Sequence, residues 1–284
     1  MISVNTKLLC LLGTPLGQTL SPKLQNETYE ALGLDYFYFP IEVNQKEDLP
    51  VILAAVRKMN FAGFAITKPY KIEILKHVDR ISPLAEKIGS SNTVLVEADG
   101  SFTAHNTDGV GFTVSLMGQL GQDNLNDKTL CVLGAGGASR AGTITAIEHG
   151  LKTLYISDVV PEAAHALIKD INDRTDAKAI YVDYQDKKAI ADAFANSNVA
   201  LNATGVGMLP HLGESPVDPS ILHPDLFCCD MIYNPAKSKF LEDAEQHGCR
   251  IMNGFEMFLR QAAAQVKLWT GREASLELMS KIMA

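Results

Sequence analysis

Three glycines in the middle of the chain have the spacing that most directly indicates a chemical role. The apolar run at 130–133 is typical of a buried parallel strand, and Gly134, Gly136 and Gly137 follow it before a helical segment that extends to about residue 149. A strand, a tight glycine turn and a helix N-terminus together cradle a pyrophosphate, because backbone N–H groups and the positive helix end face the anion. This segment therefore predicts a dinucleotide site.

A carboxylate lies at the distance at which dinucleotide-binding proteins hold the adenosine ribose. The next predicted strand, Thr153–Ser157, ends at Asp158, about 20 residues after Gly136. Ser139 occupies the third glycine position of G-x-G-x-x-G, so the match is imperfect, and an ordinary strand–helix turn is the alternative. The strand, the helix and the acid together favour the dinucleotide site.

The composition is that of a globular protein. A length of 284 residues suits one large domain or two ordinary ones, and 46% hydrophobic with 20% charged residues excludes general disorder. The net charge of −8 and the lack of a Lys/Arg block argue against a nucleic-acid partner. The apolar run at 8–12 is too short for a signal or a membrane span, so we expect a cytoplasmic protein with no membrane partner. The five cysteines lack metal-ligand spacing, and we expect buried thiols and no metal site.

The first hundred residues alternate strand and helix signals and predict an α/β unit with mixed strand directions. Ser21-Pro22 is expected to cap and start the first helix. Asp99-Gly100 predicts a two-residue hairpin turn between the last two strands. The predicted strands are 8–12, 36–41, 63–67, 92–96 and 102–104, and the predicted helices are 21–32, 49–59 and 71–77.

The second half predicts a doubly wound parallel sheet, because a helix from Asn106 leads into the glycine-loop strand and strands then alternate with helices. The tail from Gly254 predicts two helices, broken at Gly271, that pack near the first half. The predicted fold is α/β, with a Rossmann-type dinucleotide-binding domain at 108–254 and a mixed-sheet substrate domain at 1–107 completed by helices at 255–284. Ligands are expected in the cleft between them. Beyond the strand at 153–157, the predicted strands are 179–182, 199–202, 227–231 and 250–252.

Seven polar segments, from residue 13 to about residue 270, follow one another in an order and spacing that chance does not explain. They are Gly13-Thr-Pro15-Leu-Gly-Gln-Thr19-Leu-Ser21-Pro22, Gly63-Phe-Ala-Ile-Thr67-Lys-Pro69-Tyr-Lys71, Gly89-Ser-Ser-Asn92-Thr93, Asn106-Thr-Asp108-Gly109-Val-Gly111, Asn202-Ala-Thr204-Gly-Val-Gly207-Met208, Asp230-Met-Ile-Tyr233-Asn-Pro235 and Gly254-Phe-Glu-Met257-Phe-Leu-Arg-Gln261-Ala. Together they resemble the motifs of the shikimate dehydrogenase family, which includes shikimate and quinate/shikimate dehydrogenases. The resemblance implies oxidation of a ring hydroxyl to a ketone, with hydride transfer to nicotinamide.

The chain departs from the family pattern at several positions. Gln18 replaces a histidine, and Thr19 replaces a serine, which keeps a hydroxyl but adds a methyl group near the expected carboxylate site. Ala65 replaces an asparagine and removes an amide from the substrate loop, whereas Ser90 replaces an alanine with little expected consequence. The NADP-dependent members carry Asn-Arg-x where this chain has Ser-Asp-Val at 157–159.

Lys71 and Asp108 match the catalytic pair of the family. The resemblance implies that their ammonium and carboxylate groups reach one substrate hydroxyl and transfer its proton. A lysine that acts as a base needs a pKa near the working pH, so burial would have to outweigh the neighbouring carboxylate. The alternative is a surface ion pair at a helix start, which the residues alone would favour.

Six polar residues are the substrate ligands that the resemblance implies. A polyhydroxylated ring acid offers little apolar surface, so convergent hydroxyl and amide groups must bind it. Helix capping by Thr19 and Ser21, hairpin capping by Asn92 and a polar spot on a helix at Gln261 are the alternative roles. The candidates are Thr19, Ser21, Thr67, Asn92, Tyr233 and Gln261.

The cofactor expected from the sequence is NAD. Asp158 can accept hydrogen bonds from both ribose hydroxyls, whereas the 2′-phosphate of NADP would lie beside a like charge. Arg140 is the nearest cation in sequence, so NADP remains possible but disfavoured. The expected cofactor-binding residues are Gly134, Ala135, Gly136, Gly137, Ala138, Asp158, Thr204, Met231 and Gly254.

The sequence thus predicts an NAD-dependent dehydrogenase that interconverts shikimate and 3-dehydroshikimate, a small-molecule enzyme active as a monomer or homodimer. Quinate is the rival substrate. It carries an additional hydroxyl at the carboxylate-bearing carbon, near Thr19, Ser21 and Thr67. Ser21 and Thr67 favour shikimate, while Asp158 favours a catabolic, NAD-linked enzyme. A dinucleotide-binding metabolite sensor is the alternative of a different class, and the retained Lys71 and Asp108 argue against it.

Overall fold

The chain folds as two compact α/β units. The computed structural model describes residues 2–17 and 19–284, so Gln18 lies outside the described residues. One unit comprises Met1–Asp108 with Leu259–Ala284, and the other comprises Gly109–Phe258. Within the described ranges, none of the helices is long and apolar enough to span a membrane.

The first unit contains a six-stranded mixed sheet. The strand order is β2-β1-β3-β5-β6-β4, in which β1 is parallel to β2 and β3, β4 is parallel to β6, and β5 is antiparallel to β3 and β6. The strands are β1 (Lys7–Gly13), β2 (Tyr36–Glu42), β3 (Phe61–Ile66), β4 (Arg80–Ile81), β5 (Thr93–Val96) and β6 (Phe102–His105), and the helices before β6 are α1 (Ser21–Ala31), α2 (Leu49–Val56) and α3 (Pro83–Ile88).

The second unit is built on a six-stranded parallel sheet in the order β12-β11-β10-β7-β8-β9, which is the doubly wound order. The mixed and parallel sheets confirm the predicted fold class. The strands are β7 (Thr129–Leu133), β8 (Thr153–Ser157), β9 (Lys178–Tyr181), β10 (Val199–Asn202), β11 (Phe227–Asp230) and β12 (Arg250–Met252). The remaining helices are α4 (Asp108–Leu120), α5 (Gly137–Glu148), α6 (Pro161–Arg174), α7 (Lys187–Ala195), α8 (Lys239–Gln246), α9 (Phe255–Thr270) and α10 (Leu276–Met283).

Several local predictions were wrong. The α2 helix ends at Val56, and the predicted helix at 71–77 is a single 3₁₀ turn, Glu73–Lys76. The β5–β6 loop is longer than two residues, because the Glu97 N–H bonds the Ser101 carbonyl and Gly100 takes a left-handed φ of +80°. The predicted cysteine environment is confirmed, since all five thiols are free and buried.

The C-terminal helix α9 packs directly on β3 and β5. The Trp269 indole N–H donates to the Val94 carbonyl at 3.0 Å, and Gln265 donates to Thr93 Oγ1 at 3.0 Å. The indole occupies the space above Gly63, where a Cβ atom would overlap Trp269 and lie 2.5 Å from the Val94 oxygen. Gly63 therefore permits the close approach of α9 to the sheet.

We expect Gly63→Ala to destabilise the protein by about 1–3 kcal/mol, the cost of overpacking a filled site. The matched control is Gly118→Ala in α4, where a Cβ atom meets nothing within 4 Å. That substitution should stabilise by about 0.5–1 kcal/mol, because alanine restricts the unfolded chain more than glycine. Denaturant unfolding midpoints measure both. An unchanged midpoint for Gly63→Ala would contradict the close packing of α9.

Candidate active site

Lys71 and Asp108 form a largely buried ion pair in the first unit. Lys71 Nζ lies 2.6 Å from Asp108 Oδ2, and the two side chains are 18% and 8% exposed. Asp108 begins α4, whereas Lys71 lies in the irregular segment before the 3₁₀ turn and not in a helix as predicted. The burial distinguishes this pair from the surface ion pairs of the chain, such as that between Lys76 and Glu73.

The backbone around Lys71 is fixed on both sides. The Ser91 N–H donates to the Lys71 carbonyl at 2.7 Å, and the buried Tyr70 hydroxyl donates to the Val43 carbonyl at 2.8 Å. Because both partners belong to other segments of the unit, the Lys71 side chain extends from a backbone that is held in a defined position.

Asn92 orients the carboxylate of Asp108. Its side-chain Nδ2 donates to Asp108 Oδ1 at 2.8 Å and to Thr107 Oγ1 at 2.9 Å, while its Oδ1 accepts from the Thr107 N–H at 2.8 Å. Asn106 Oδ1 accepts from the Asp108 N–H at 3.1 Å. The two carboxylate oxygens therefore have different partners, Oδ1 the amide and Oδ2 the ammonium, and the carboxylate also lies at the favourable N-terminal end of a helix.

The other polar candidates are distributed over both units. Thr67 follows β3 and its methyl group fills the space above Gly13, which joins the first two motifs. Ser21 is the first residue of α1 and not its cap, because Leu20 holds the cap position. The Ser21 N–H donates to Thr19 Oγ1 at 3.3 Å, so the hydroxyl-bearing turn forms without the predicted side-chain cap.

Of the two remaining candidates, Tyr233 belongs to the second unit and Gln261 to the first. The Tyr233 ring stacks on Phe258 at a centroid distance of 4.6 Å. Gln261 lies on α9, within the part of that helix that belongs to the first unit. Direct hydrogen bonds join Lys71, Asn92 and Asp108.

The glycine loop at the start of α5 has the geometry of an anion cradle. Gly134 has φ +98°, and a Cβ atom there would lie 2.9 Å from the Ala203 carbonyl oxygen. Gly136 precedes α5, and nothing lies within 4 Å of the position its Cβ would take, so a ligand can approach this backbone closely. Ser139, at the third glycine position, is fully buried. The loop therefore fits a pyrophosphate.

Asp158 lies beside this loop. Its Oδ2 accepts from the Ala135 N–H at 2.6 Å and its Oδ1 from the Val160 N–H at 2.8 Å. The carboxylate is half-buried, and the next two residues, Val159 and Val160, are exposed. The strand end thus presents a negative charge next to apolar side chains.

The nearest cation in sequence, Arg140, is already paired. Its guanidinium contacts the Asp170 carboxylate through both terminal nitrogens, with Nη1 2.7 Å from Oδ2. Its side chain is 12% exposed, and burial lowers the pKa of the group while Asp170 raises it. No local sequence pattern indicates this partner, because Asp170 lies 30 residues away on α6.

The other predicted cofactor residues lie at the carboxyl ends of β10, β11 and β12. The Thr204 hydroxyl donates to the side-chain oxygen Asn202 Oδ1 at 2.7 Å. Gly254 packs against the Met231 carbonyl, where a Cβ atom would overlap it, and the Gly254 N–H donates to the Ile232 carbonyl at 2.9 Å. The Gly254 contacts thereby join the loops that follow β11 and β12 at the carboxyl ends of these strands.

Three residues within the motifs had no predicted role although the structure gives them contacts. Asn106 and Thr107 hold the segment that carries Asp108, as described above. Asp230, at the end of β11, is 2% exposed. Burial raises the pKa of its carboxyl to about 6, against the hydrogen bonds from Ser238, Ile232 and Asn202, which lower it.

The fold and site define a dinucleotide-binding dehydrogenase with a separate unit that carries a lysine–carboxylate pair. Family models match residues 11–94 as "Shikimate dehydrogenase substrate binding domain" and residues 254–283 as "Shikimate 5'-dehydrogenase C-terminal domain". The chain is 38% identical to a shikimate dehydrogenase (NADP(+)) of Listeria monocytogenes over 99% of this chain and 97% of that protein. The chain belongs to the shikimate dehydrogenase family, as the motifs predicted.

Two further relatives bear on the substrate and the cofactor. A quinate/shikimate dehydrogenase of Escherichia coli is 36% identical over 99% of this chain and 98% of the relative. The crystal structure of shikimate 5-dehydrogenase from Listeria monocytogenes in complex with shikimate and NAD has a TM-score of 0.91 and 36% identity, covering 100% of this chain and 98% of that one. The family identity makes the chain an NAD(P)-dependent oxidoreductase that acts on a CH–OH group.

Proposed function

We propose that this protein interconverts shikimate and 3-dehydroshikimate in the cytoplasm, with NAD as the preferred cofactor. The observation that carries the proposal is the buried pair of Lys71 and Asp108, held by Asn92. An oxidoreductase that removes hydride from a secondary alcohol must also remove the hydroxyl proton, and this pair can do so. The glycine loop and Asp158 fit the dinucleotide.

In the proposed reaction, the substrate hydroxyl lies within hydrogen-bond reach of Lys71 Nζ and Asp108 Oδ2. The bound dinucleotide supplies the hydride acceptor. The hydroxyl proton passes to the pair as the hydride leaves, and in the reverse direction the pair returns a proton to the carbonyl oxygen. The hydrogen bond from Asn92 to Asp108 Oδ1 leaves Oδ2 directed at the ammonium group, so the acceptor geometry is fixed before the substrate binds.

The carboxylate of the substrate is proposed to bind near Thr19, Ser21 and Thr67. Hydroxyl groups and helix-terminal N–H groups can hold an anion without a fixed cation. Thr67 and Gly13 are in contact, which places two of the hydroxyl-bearing motifs side by side. The other proposed ligands are Asn92, Tyr233 and Gln261.

Quinate is the second candidate substrate, because the relative from Escherichia coli is named for both acids. The additional hydroxyl of quinate lies on the carboxylate-bearing carbon, and we propose that the methyl group of Thr19 leaves less room for it than a serine would. The ratio of kcat/KM for shikimate and quinate distinguishes the two, and we propose that it favours shikimate.

The cofactor proposal rests on charge at the end of β8. Asp158 lies beside the glycine loop and bonds the Ala135 N–H, and a carboxylate at this strand end can accept hydrogen bonds from ribose hydroxyls and would repel a 2′-phosphate. Arg140, the cation that could offset this repulsion, is neutralised by Asp170. The Listeria monocytogenes relative is named for NADP(+), whereas the related crystal structure contains NAD, so the proposal depends on these residues of this chain.

We expect Lys71→Ala to lower kcat for shikimate oxidation by about 10²–10⁴-fold, the usual contribution of general acid–base catalysis. Lys76→Ala is the matched control, because this lysine forms an exposed ion pair with Glu73. Steady-state rates at saturating substrate and NAD measure the effect. If the Lys71→Ala variant keeps more than about half of the wild-type kcat, Lys71 does not act as a general acid–base catalyst in the wild type.

We expect wild-type kcat/KM to be at least about tenfold higher with NAD than with NADP, which corresponds to about 1.4 kcal/mol. Asp158→Asn combined with Val159→Arg should narrow or invert this ratio. Asp170→Asn, which releases Arg140, should raise kcat/KM with NADP and leave NAD nearly unchanged.

The control for the second variant is Asp173→Asn, since Asp173 forms an exposed pair with Lys169 on the same helix. Asp173→Asn should change kcat/KM neither with NAD nor with NADP. A wild-type enzyme that favours NADP would show that Asp158 does not contact the ribose.

A further inference from the structure

The carboxylate of Asp230 joins two loops at the edge of the parallel sheet. Its Oδ2 accepts from Asn202 Nδ2 at 3.0 Å and from Ser238 Oγ at 2.5 Å, and its Oδ1 accepts from the Ile232 N–H at 2.8 Å. Asp230 ends β11 and pairs in register with Asn202, which ends β10. Three donors converge on one buried carboxylate, so its charge is compensated by hydrogen bonds.

Asn202 extends this network into the loop that follows β10. Its side-chain Oδ1 accepts from the Thr204 N–H at 3.1 Å, and its Nδ2 donates to the Val206 carbonyl at 3.1 Å as well as to Asp230. The conformation of residues 202–206 is therefore tied to the Asp230 carboxylate through a single side chain.

The same network reaches the loop that follows β12. Asp230 fixes the N–H of Ile232, and the Ile232 carbonyl accepts from the Gly254 N–H at 2.9 Å. Gly254 is in contact with the Met231 carbonyl. Thr204, Met231 and Gly254, the three proposed cofactor residues of this edge, thus depend on one carboxylate.

The sheet order indicates which part of the dinucleotide these loops face. A doubly wound sheet has two mononucleotide-binding halves, with the crevice at the point where the strand order reverses. In this unit the reversal lies between β7 and β10. A bound dinucleotide would place its adenosine at the half with β7, β8 and Asp158, and its nicotinamide at the half with β10, β11 and β12.

We propose that Asp230 is a positioning residue that sets the loops around the nicotinamide half of the cofactor and leaves the adenosine half unaffected. The inference rests on the proposed function. Asp230 acts through Asn202 and Ile232 and does not itself touch the reacting atoms. Asparagine at this position has one oxygen and one NH₂ group, so at least one of the three donors would face another donor.

The test compares the binding of NADH with that of ADP-ribose, which lacks the nicotinamide, in the wild type and in Asp230→Asn. We expect the dissociation constant of NADH to rise about tenfold while that of ADP-ribose changes less than about twofold. We also expect kcat to fall by about 10²-fold, since a misplacement of about 1 Å can have that effect. Calorimetry measures both ligands, and hydride transfer is followed with shikimate.

Asn202→Ala is the second variant, because it breaks the same network while Asp230 keeps its other two donors. It should shift the ratio of the dissociation constants of NADH and ADP-ribose in the same direction. If Asp230→Asn fails to fold, Asn202→Ala provides the test on its own. Asp243→Asn is the matched control, since Asp243 is a buried carboxylate of the same unit that pairs with Lys239 on α8. It should leave the ratio unchanged.

Equal losses of affinity for NADH and ADP-ribose, or an unchanged ratio of their dissociation constants in both variants, would overturn the role of Asp230. In either case a wild type that binds NADH and oxidises shikimate leaves the proposed function standing. A wild type that binds NADH but does not oxidise shikimate would contradict the proposed function and not the placement of Asp230, because the ratio would still be measurable.

Discussion

The ion pair between Lys71 and Asp108 is the interaction on which the proposed chemistry depends. Both charges are largely withdrawn from water, and a charge in that setting is stable only when it is paired and hydrogen-bonded. Asn92 provides the additional bond to Asp108, and its own carbonyl is fixed by the Thr107 N–H. Residues 71, 92 and 108 follow or precede different elements of the mixed sheet unit. The order of its strands is therefore what brings the site together.

The parallel unit depends on a different constraint, which is the fit of backbone to a dinucleotide. Glycine at 134 and 136 provides a sharp turn and an open approach to the N-terminus of α5. Two carboxylates then hold the loops at the carboxyl ends of the strands, one in each half of the parallel sheet. Asp158 bonds the glycine loop at Ala135, and Asp230 joins the loops after β10 and β11.

The sequence predicted the fold well where periodicity and glycine spacing control it. The strand at 199–202 and the helices on either side of Gly271 have local signals that packing does not override. The prediction of a helix at 71–77 was wrong because hydrogen bonds to other segments, such as that from the Ser91 N–H to the Lys71 carbonyl, hold these residues in another conformation. The motifs identified Lys71 and Asp108, but not the pairing of Arg140 with Asp170 or the donors around Asp230. The contacts of Arg140 with Asp170 and of Asn202 with Asp230 join residues 30 and 28 positions apart, and no local pattern encodes them.

The most direct test of the account is a double-mutant cycle on kcat for shikimate oxidation, with Lys71→Ala, Asp108→Ala and the combined variant. If the two residues act as one proton-transfer unit, either substitution removes the unit, and the double variant will be about as slow as the slower single variant. If the two losses instead multiply, the residues act independently. That result would contradict the assignment of the buried pair as a single catalytic unit.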